Sequence, residues 1–598
     1  MVNNRAPGVF MERGPSRPTE LGLLPSGIPV FLGMAQRGPT NEPVRVTSIE
    51  QFYSIFGKLP AEMDTFLAAS IDGFFLNGGR ECYVMRIAHL FDQPTDDDRP
   101  NFRAGAPDRF DFAIKSSARL RDGAKQNTML VQAMSEGVWG NEIRVSVVAR
   151  PSPVQTFLTV DGQPGDNTVM VKSTYGFARG TQIKLSDGVH EAYRVITAVE
   201  GRLLYWGERE PLETTFASSA PTLVEPVHFD LIAETHSQRE VFRDLNLARS
   251  SPRFAERVIN GVSQLVTVTD LSSNSPMPLA FPIEVSNQRL EGGADGLFTV
   301  RPEDFNGMDN GPGQRYGLLG IAEFEQTDLV CMPDLAWCVK RGLWTVRDME
   351  VVQQQAVAIC EDKQDRFAIL DVPPDYTPTA AMQWRRLFDT SYAALYYPFV
   401  KPNNSSRFVP PSGHVAGIFA RCDREMGVYR APANEAFQGV VDLQLILQQG
   451  DLAMLNGEGV NCLQVLGQRG IRVWGARTAS SEPQLLYINV RRTILAIARA
   501  LYRGLQWVVF EPNDYQLWHI IQRDVGFFLD ALWRQGYLKG ESAEQAYIVR
   551  CDESVNNSES ITLGQVAVDV WLAPFRPAEF IGVHVVQEVD SMAQEGGV

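Results

Sequence analysis

Asp371 in "AILDVPP" and His414 in "SGHVAG" are the one carboxylate–imidazole pair whose types and chain order would suit nucleophilic hydrolysis. Such a pair serves acyl transfer only beside a nucleophile that stands at a helix N-terminus and faces an oxyanion hole. Neither GTSMA nor GxSxG occurs in the sequence, so both residues are expected to be structural and no catalytic residue is assigned. Gly311, Gly313 and Gly317 in "NGPGQRYGLLG" do not make GxGxxG, and no GxxxxGK[ST] is found. A turn is expected there, not a phosphate cradle, so any work the protein does is not drawn from nucleotide hydrolysis by this chain. The seven His are isolated from each other, without HExxH or His-x-His. The seven Cys (Cys82, Cys331, Cys338, Cys360, Cys422, Cys462 and Cys551) include no CxxC pair. Neither a metal site nor a cofactor nor a disulfide framework is expected, and the thiols read as reduced and mostly buried. Asn403 and Asn404 fit N-x-S, a chance match where no secretion signal is seen.

Arg491, Arg492, Arg499 and Arg503 place positive charge on one predicted helix, either as a solvated face or as a contact. The chain as a whole is acidic, with a formal net charge of -16 over 598 residues. Without a strong basic cluster, nucleic acid is not expected as the main partner. The start, "MVNNRAPGVFMERGPSRP", has no apolar h-region, so no signal peptide is expected. No apolar run reaches the roughly 18 residues of a membrane span, and direct membrane insertion is not expected.

The elements that must position these residues follow from pattern. A chain of this length is expected to split into several domains. Residues 1–27, rich in Pro and Gly, read as an N-terminal arm with a short strand-like run at Val9 to Glu12. Residues 28–91 read as strand (Ile28 to Leu32), helix, helix, strand (Cys82 to Ile87). Ser48 with Gln51 suggests a capping box, and Gly57 ends that helix. Asp92 to Pro107 reads as a linker. Residues 105–150 and 222–289 read as one β-rich outer domain, with 151–221 a small inserted β module whose turns and period-2 strands set it apart. Residues 290–430 alternate strand and helix, which predicts a parallel sheet covered by helices. Residues 431–578 are expected to complete a discontinuous inner core with 28–91. Within it, "WVVFEPND" reads as a strand and Asp514 to about Gln535 as a long helix capped by Asp514. The fold class is therefore α/β and α+β, multidomain, with extended terminal arms.

Two runs in the last third carry a family resemblance: "PPSGHVAGIFARCDREMGVYRAPANE" and "GIRVWGARTASSEPQLLYINVRRTILAIARALYRGLQWVVFEPND". With "PGVF…VFLGMAQRGP…FFLNGGRECYVMRI", "ALWRQG" and "RPAEFI", they closely resemble contractile tail sheath proteins of bacteriophages and of related injection systems. That family's middle domain is often described as subtilisin-like, and "AILDVPP" and "SGHVAG" resemble the Asp and His motifs of subtilisins. The resemblance implies a homo-oligomeric helical sheath of stacked hexameric rings, assembled in a bacterial cytoplasm as part of a phage tail or phage-like particle. Its implied partners are an inner tube protein, a baseplate and terminator or cap proteins. It also implies contraction driven by energy stored in the extended lattice, and arms that knit subunits together by strand exchange. The matching arm residues are Pro7, Gly8, Val9, Phe10, Met11 and Glu12 at one end, and Phe580, Ile581, Val583 and Val585 at the other. A terminal strand with unpaired N–H and C=O groups is suited to that role. Arg491, Arg492, Arg499 and Arg503 are the implied candidates for touching the tube, from a platform spanning Gly470 to Asp552. A non-contractile assembly protein and a serine hydrolase remain the alternative readings.

Overall fold

A computed structural model describes residues 21–60, 63–90, 112–123, 125–150, 152, 154–208, 210–247, 249, 251–272, 281–311 and 313–579. The arm residues Pro7 to Glu12 and Phe580 to Val585, and the whole of the linker Asp92 to Pro107, lie outside the described residues.

The expected strands at Ile28 to Leu32 and Cys82 to Ile87 join six others in one eight-stranded sheet. Its strands are β1 (Pro29–Gly33), β2 (Val44–Val46), β3 (Cys82–Arg86), β4 (Leu329–Cys331), β5 (Phe367–Asp371), β6 (Ala393–Tyr397), β7 (Val460–Val465) and β8 (Ile471–Trp474). The order is β2-β3-β1-β4-β5-β6-β7-β8. The six inner strands are parallel, and β2 and β8 close the two edges antiparallel. Phe31 lies opposite Cys331, Cys331 opposite Ile369, and Ile369 opposite Ala394. Every residue of β1, β4, β5 and β6 is buried, as parallel strands covered on both faces require.

The covering helices are α1 (Ile49–Phe56), α2 (Leu67–Leu76), α3 (Asp334–Lys340), α4 (Val346–Lys363), α5 (Pro378–Arg385) and α6 (Ser412–Glu425). Their limits follow local chemistry. The Ser48 hydroxyl accepts from the Gln51 amide, but Gln51 reaches back to Thr47, one residue before the expected partner. Thr345 and Asp348 form a full capping box at α4. Helices α2 and α6 cross with almost no side chain between them: a Cβ built on Gly417 would lie 2.4 Å from the Phe74 carbonyl oxygen.

The sheet corrects the expected domain grouping. Residues 28–91 supply three strands to the same sheet as β4, β5 and β6, so they complete the segment read as a middle domain. Strands β7 and β8 also belong to it, which moves its end from residue 430 past Trp474. The cause is that a parallel sheet accepts strands from any distance in the chain, and β1 shares hydrophobic faces with β4 that no local pattern marks.

The β-rich outer domain has its own core, among it Val131, Val145, Leu231 and Val266. The inserted module has another, including Ile183, Leu204 and Phe216. Arg150 and His228 are cross-strand partners, so the module leaves and re-enters at adjacent points of one hairpin.

A further core is built by α7 (Ile488–Gly504), α8 (Tyr515–Arg534) and a two-stranded antiparallel hairpin of Tyr547–Arg550 with Asp569–Leu572. Leu21 and Leu23 pack against it. "WVVFEPND" is not a strand. Gln506–Val508 is a 3-10 turn, and Phe510 is fully exposed at φ 71°. Leu505, Trp507 and Val508 are held against the helices, and among the described residues no strand pairs with them.

Candidate assembly site

Helix α7 carries the four arginines and joins two cores. Ile488 and Leu495 are buried with the main sheet, whereas Ile497 and Ala500 are buried with α8. The structure separates the arginines accordingly. Arg491 donates from Nε and Nη2 to the Ser391 hydroxyl at 2.9 and 2.5 Å, and its guanidinium lies 4.2 Å from the Tyr392 ring centre. Arg492 makes a forked bond to Asp423, at 2.8 and 2.5 Å, and a third to Asp328 at 3.1 Å. Both are buried and internally paired, so neither offers its charge to a tube. Only Arg499, partly exposed, and Arg503, exposed, keep an accessible face. Burial works against the Arg492 charge, but the two carboxylates outweigh it and hold the guanidinium ionised.

Asp328 does more than pair. Its Oδ2 accepts the Gly27 amide at 3.0 Å and its Oδ1 the Ile28 amide at 2.7 Å. The start of the described chain is thus tied to the sheet, to α6 through Asp423 and to α7 through Arg492. Local sequence hides this, because Asp328 is 164 residues from Arg492 and Asp423 is 69.

The hairpin at the far end of this core is amphipathic. Tyr547, Val549, Val570 and Leu572 face α8. Ile548 and Trp571, opposite each other, are about half exposed at 46% and 47%. Among the described residues no third strand pairs with either edge. Two strands alone are marginal in water, and their edges present free N–H and C=O groups to another chain.

Asp371 and His414 are not brought into a hydrogen bond. Asp371 ends β5 and accepts the Ser412 amide at 3.0 Å and the Ser412 hydroxyl at 2.5 Å, capping α6. Burial pushes its carboxyl up to about 7. His414, two residues on, packs against Gly73, both ring nitrogens lack a partner, and burial lowers it to about 4. A second buried carboxylate, Asp334, accepts the amides of Met34, Phe66 and Leu67 and is likewise pushed up to about 7 by burial. Both carboxylates stand at the C-terminal end of the sheet, where an α/β fold would open a site, and both are engaged in holding backbone amides there. Among the described residues no group of three His, Cys, Asp or Glu could hold a metal ion.

Residues 323–479 match the phage tail sheath protein central domain, and residues 480–588 match the phage tail sheath C-terminal domain. Those residues belong to the phage tail sheath family. The family boundary at 479/480 falls between β8 and α7, close to where the main sheet gives way to the second core. A prophage major tail sheath protein of Pseudomonas aeruginosa (strain UCBPP-PA14) is 28% identical over 240 residues, which is 38% of this chain and 60% of that protein. The tail sheath protein of Burkholderia phage BcepMu is 26% identical over 386 residues, 60% of this chain and 74% of that one. The chain spans 41% of the length of the Escherichia phage P2 tail sheath protein, with 28% identity. Among solved structures, the sheath tail protein of Listeria innocua is similar with a TM-score of 0.53, at 13% identity over 92% of this chain and 96% of that one. The anti-feeding prophage helical sheath in its contracted state gives 0.50, at 18% identity over 98% and 99%. These two likenesses concern the fold. The two family matches take in strands β4 to β8 and the hairpin core, whereas β1 to β3 lie outside them.

Proposed function

We propose that this protein is the structural subunit of a contractile sheath. Copies polymerise into a helical tube of stacked rings around an inner tube and shorten to drive that tube through a target envelope. The observation that carries the reading is the open hairpin of Tyr547–Arg550 and Asp569–Leu572, set in a domain of the tail sheath family. Residues Pro7 to Glu12 of one copy and Phe580 to Val585 of another supply the strands that complete it. Head-to-tail contacts of this kind do not close, so they propagate as an open helix. Sheet hydrogen bonds survive while a few backbone residues at the arm roots rotate, which lets one lattice pass into another. Arg499 and Arg503 are the remaining candidates for touching the tube. A baseplate and a terminator would bound the polymer, inside a bacterial cell that makes the phage or phage-like particle. The chain acts without catalysis of its own.

The test is truncation. Deleting Met1 to Ser16, or the residues after Pro577, is expected to leave a folded monomer that forms no striated tubes in negative-stain micrographs. Normal tubes from either truncation would overturn strand exchange.

A further inference from the structure

The last described residues do not stay with the hairpin. Ala573 and Pro574 still pair with Lys539, Ala546 and Leu538 of the α8 core, and beyond them the chain reaches the N-terminal end of α7. Asn489 donates from Nδ2 to the Phe575 carbonyl at 2.9 Å and to the Tyr429 carbonyl at 2.8 Å. Four residues later Glu579 meets Arg477. Nε donates to Oε1 at 3.0 Å and Nη2 to Oε2 at 2.5 Å, a two-pronged pair with side chains only 13% and 12% exposed. Tyr487, the cap residue of α7, lies close enough that burial and then the Glu579 charge raise its hydroxyl above the ordinary tyrosine value. The carboxylate therefore lies by the positive end of a 17-residue helix.

Arg477 is itself fixed to the main sheet. Its amide donates to Asn461 Oδ1 at 2.7 Å, and its carbonyl accepts from Asn461 Nδ2 at 2.7 Å. Asn461 lies on β7 and also donates to the Leu395 carbonyl of β6. The third guanidinium nitrogen, Nη1, donates to the Asn456 carbonyl at the end of helix Gln449–Gly457. A continuous path thus runs from the sheet through Asn461 and Arg477 to Glu579. The pair is charge-assisted, forked and shielded from water, which makes it directional as well as strong.

We propose that Arg477 is a positioning residue for assembly: it clamps Glu579 to the main-sheet domain and so sets the direction in which the following residues leave toward another copy. The exit is referred to the sheet domain, not to the hairpin core from which the chain has just come. This inference rests on the strand-exchange reading above.

The full-length protein with Glu579→Gln tests it. A nitroxide placed at exposed Ala578, as Ala578→Cys, reports the root directly, since all seven native cysteines are buried. The label is expected to tumble slowly with Glu579 present and fast in E579Q, and the rate of tube formation is expected to fall roughly tenfold or more, the scale of one lost charged hydrogen bond. Equal label mobility in both proteins overturns the clamp. A freed label with an unchanged assembly rate overturns its role in assembly. If E579Q does not fold, Arg477→Lys, which keeps the charge and loses the fork, is read by the same two criteria. An unmodified protein that forms no tubes sinks the strand-exchange reading, and the mobility comparison still decides whether Arg477 holds the root.

Discussion

Single residues in this protein are set by partners far away in the chain, and Arg492 shows how much follows from one. Removing its side chain strands Asp328 and Asp423 in the interior, so Arg492→Ala is expected to lose about 3–5 kcal/mol in urea unfolding. Arg499→Ala, at a partly exposed site, is the control that should change stability little. Acid has opposing effects. His414 is held near 4 in the folded state against an ordinary value of 6.5, so as pH falls from 6.5 toward 4 the unfolded chain binds a proton the folded one refuses. That contribution to stability is lost across this window and is gone below it. Asp334 and Asp371 act the other way. They are raised to about 7, so the folded state takes up their protons first and gains stability as pH falls from about 7 toward 4. Replacing His414 by Met is therefore expected to make the protein gain relative to wild type on acidification, by on the order of 3 kcal/mol between pH 6.5 and 4. Unfolding curves at the two pH values check it. The sequence showed four arginines on one helix but not which were spent internally. A charge is read as solvated until its carboxylates are located, and no local spacing reveals Asp328 or Asp423.

Elements were far more legible where a single helix or strand carries its own signals. Ser48, Gly57, Asp514 and Gly536 mark helix ends by their own chemistry, and the apolar runs of β1 and of β5 up to Asp371 announce a sheet covered on both sides. The segment after α7 misled because Trp507, Val508, Val509 and Phe510 have strand propensity, yet Trp507 and Val508 are needed as packing against α8. Grouping of elements was also hidden, since parallel pairing of β1 with β4 spans about 300 residues of sequence and leaves no local trace. The α2–α6 crossing gives a prediction at this scale. Gly417→Ala would press a methyl against the Phe74 carbonyl and part the helices, at a cost of about 1–3 kcal/mol. Gly526→Ala, within α8 and with nothing within 4 Å of its Cβ, is expected to stabilise by about 0.5–1 kcal/mol. Thermal unfolding of the two variants should move in opposite directions.

The whole molecule is a sheet domain with attachments at both sides, and the attachments differ in how they are joined. The inserted module enters and leaves between Arg150 and His228, which face each other across one antiparallel pair. Replacing residues 151–227 by a two-residue Asn-Gly turn is expected to keep that hairpin, leave the outer core folded and preserve tube formation. Loss of soluble protein or of tubes would show instead that the module is needed for the lattice. The hairpin core, by contrast, is bolted through α7 and cannot be excised in the same way. The two short antiparallel strands at the sheet edges bear on a different hazard. A chain that joins its neighbours by strand pairing, and does so at high local concentration, must keep its largest sheet out of the same reaction. Strand β2 has three residues and β8 four, both run against the grain of the six inner strands, and β8 is further met by Ala436 at Arg472. With its edges blunted in this way, the main sheet is a poor template for indiscriminate aggregation and would not compete with the strand exchange proposed at the hairpin of Tyr547–Arg550 and Asp569–Leu572.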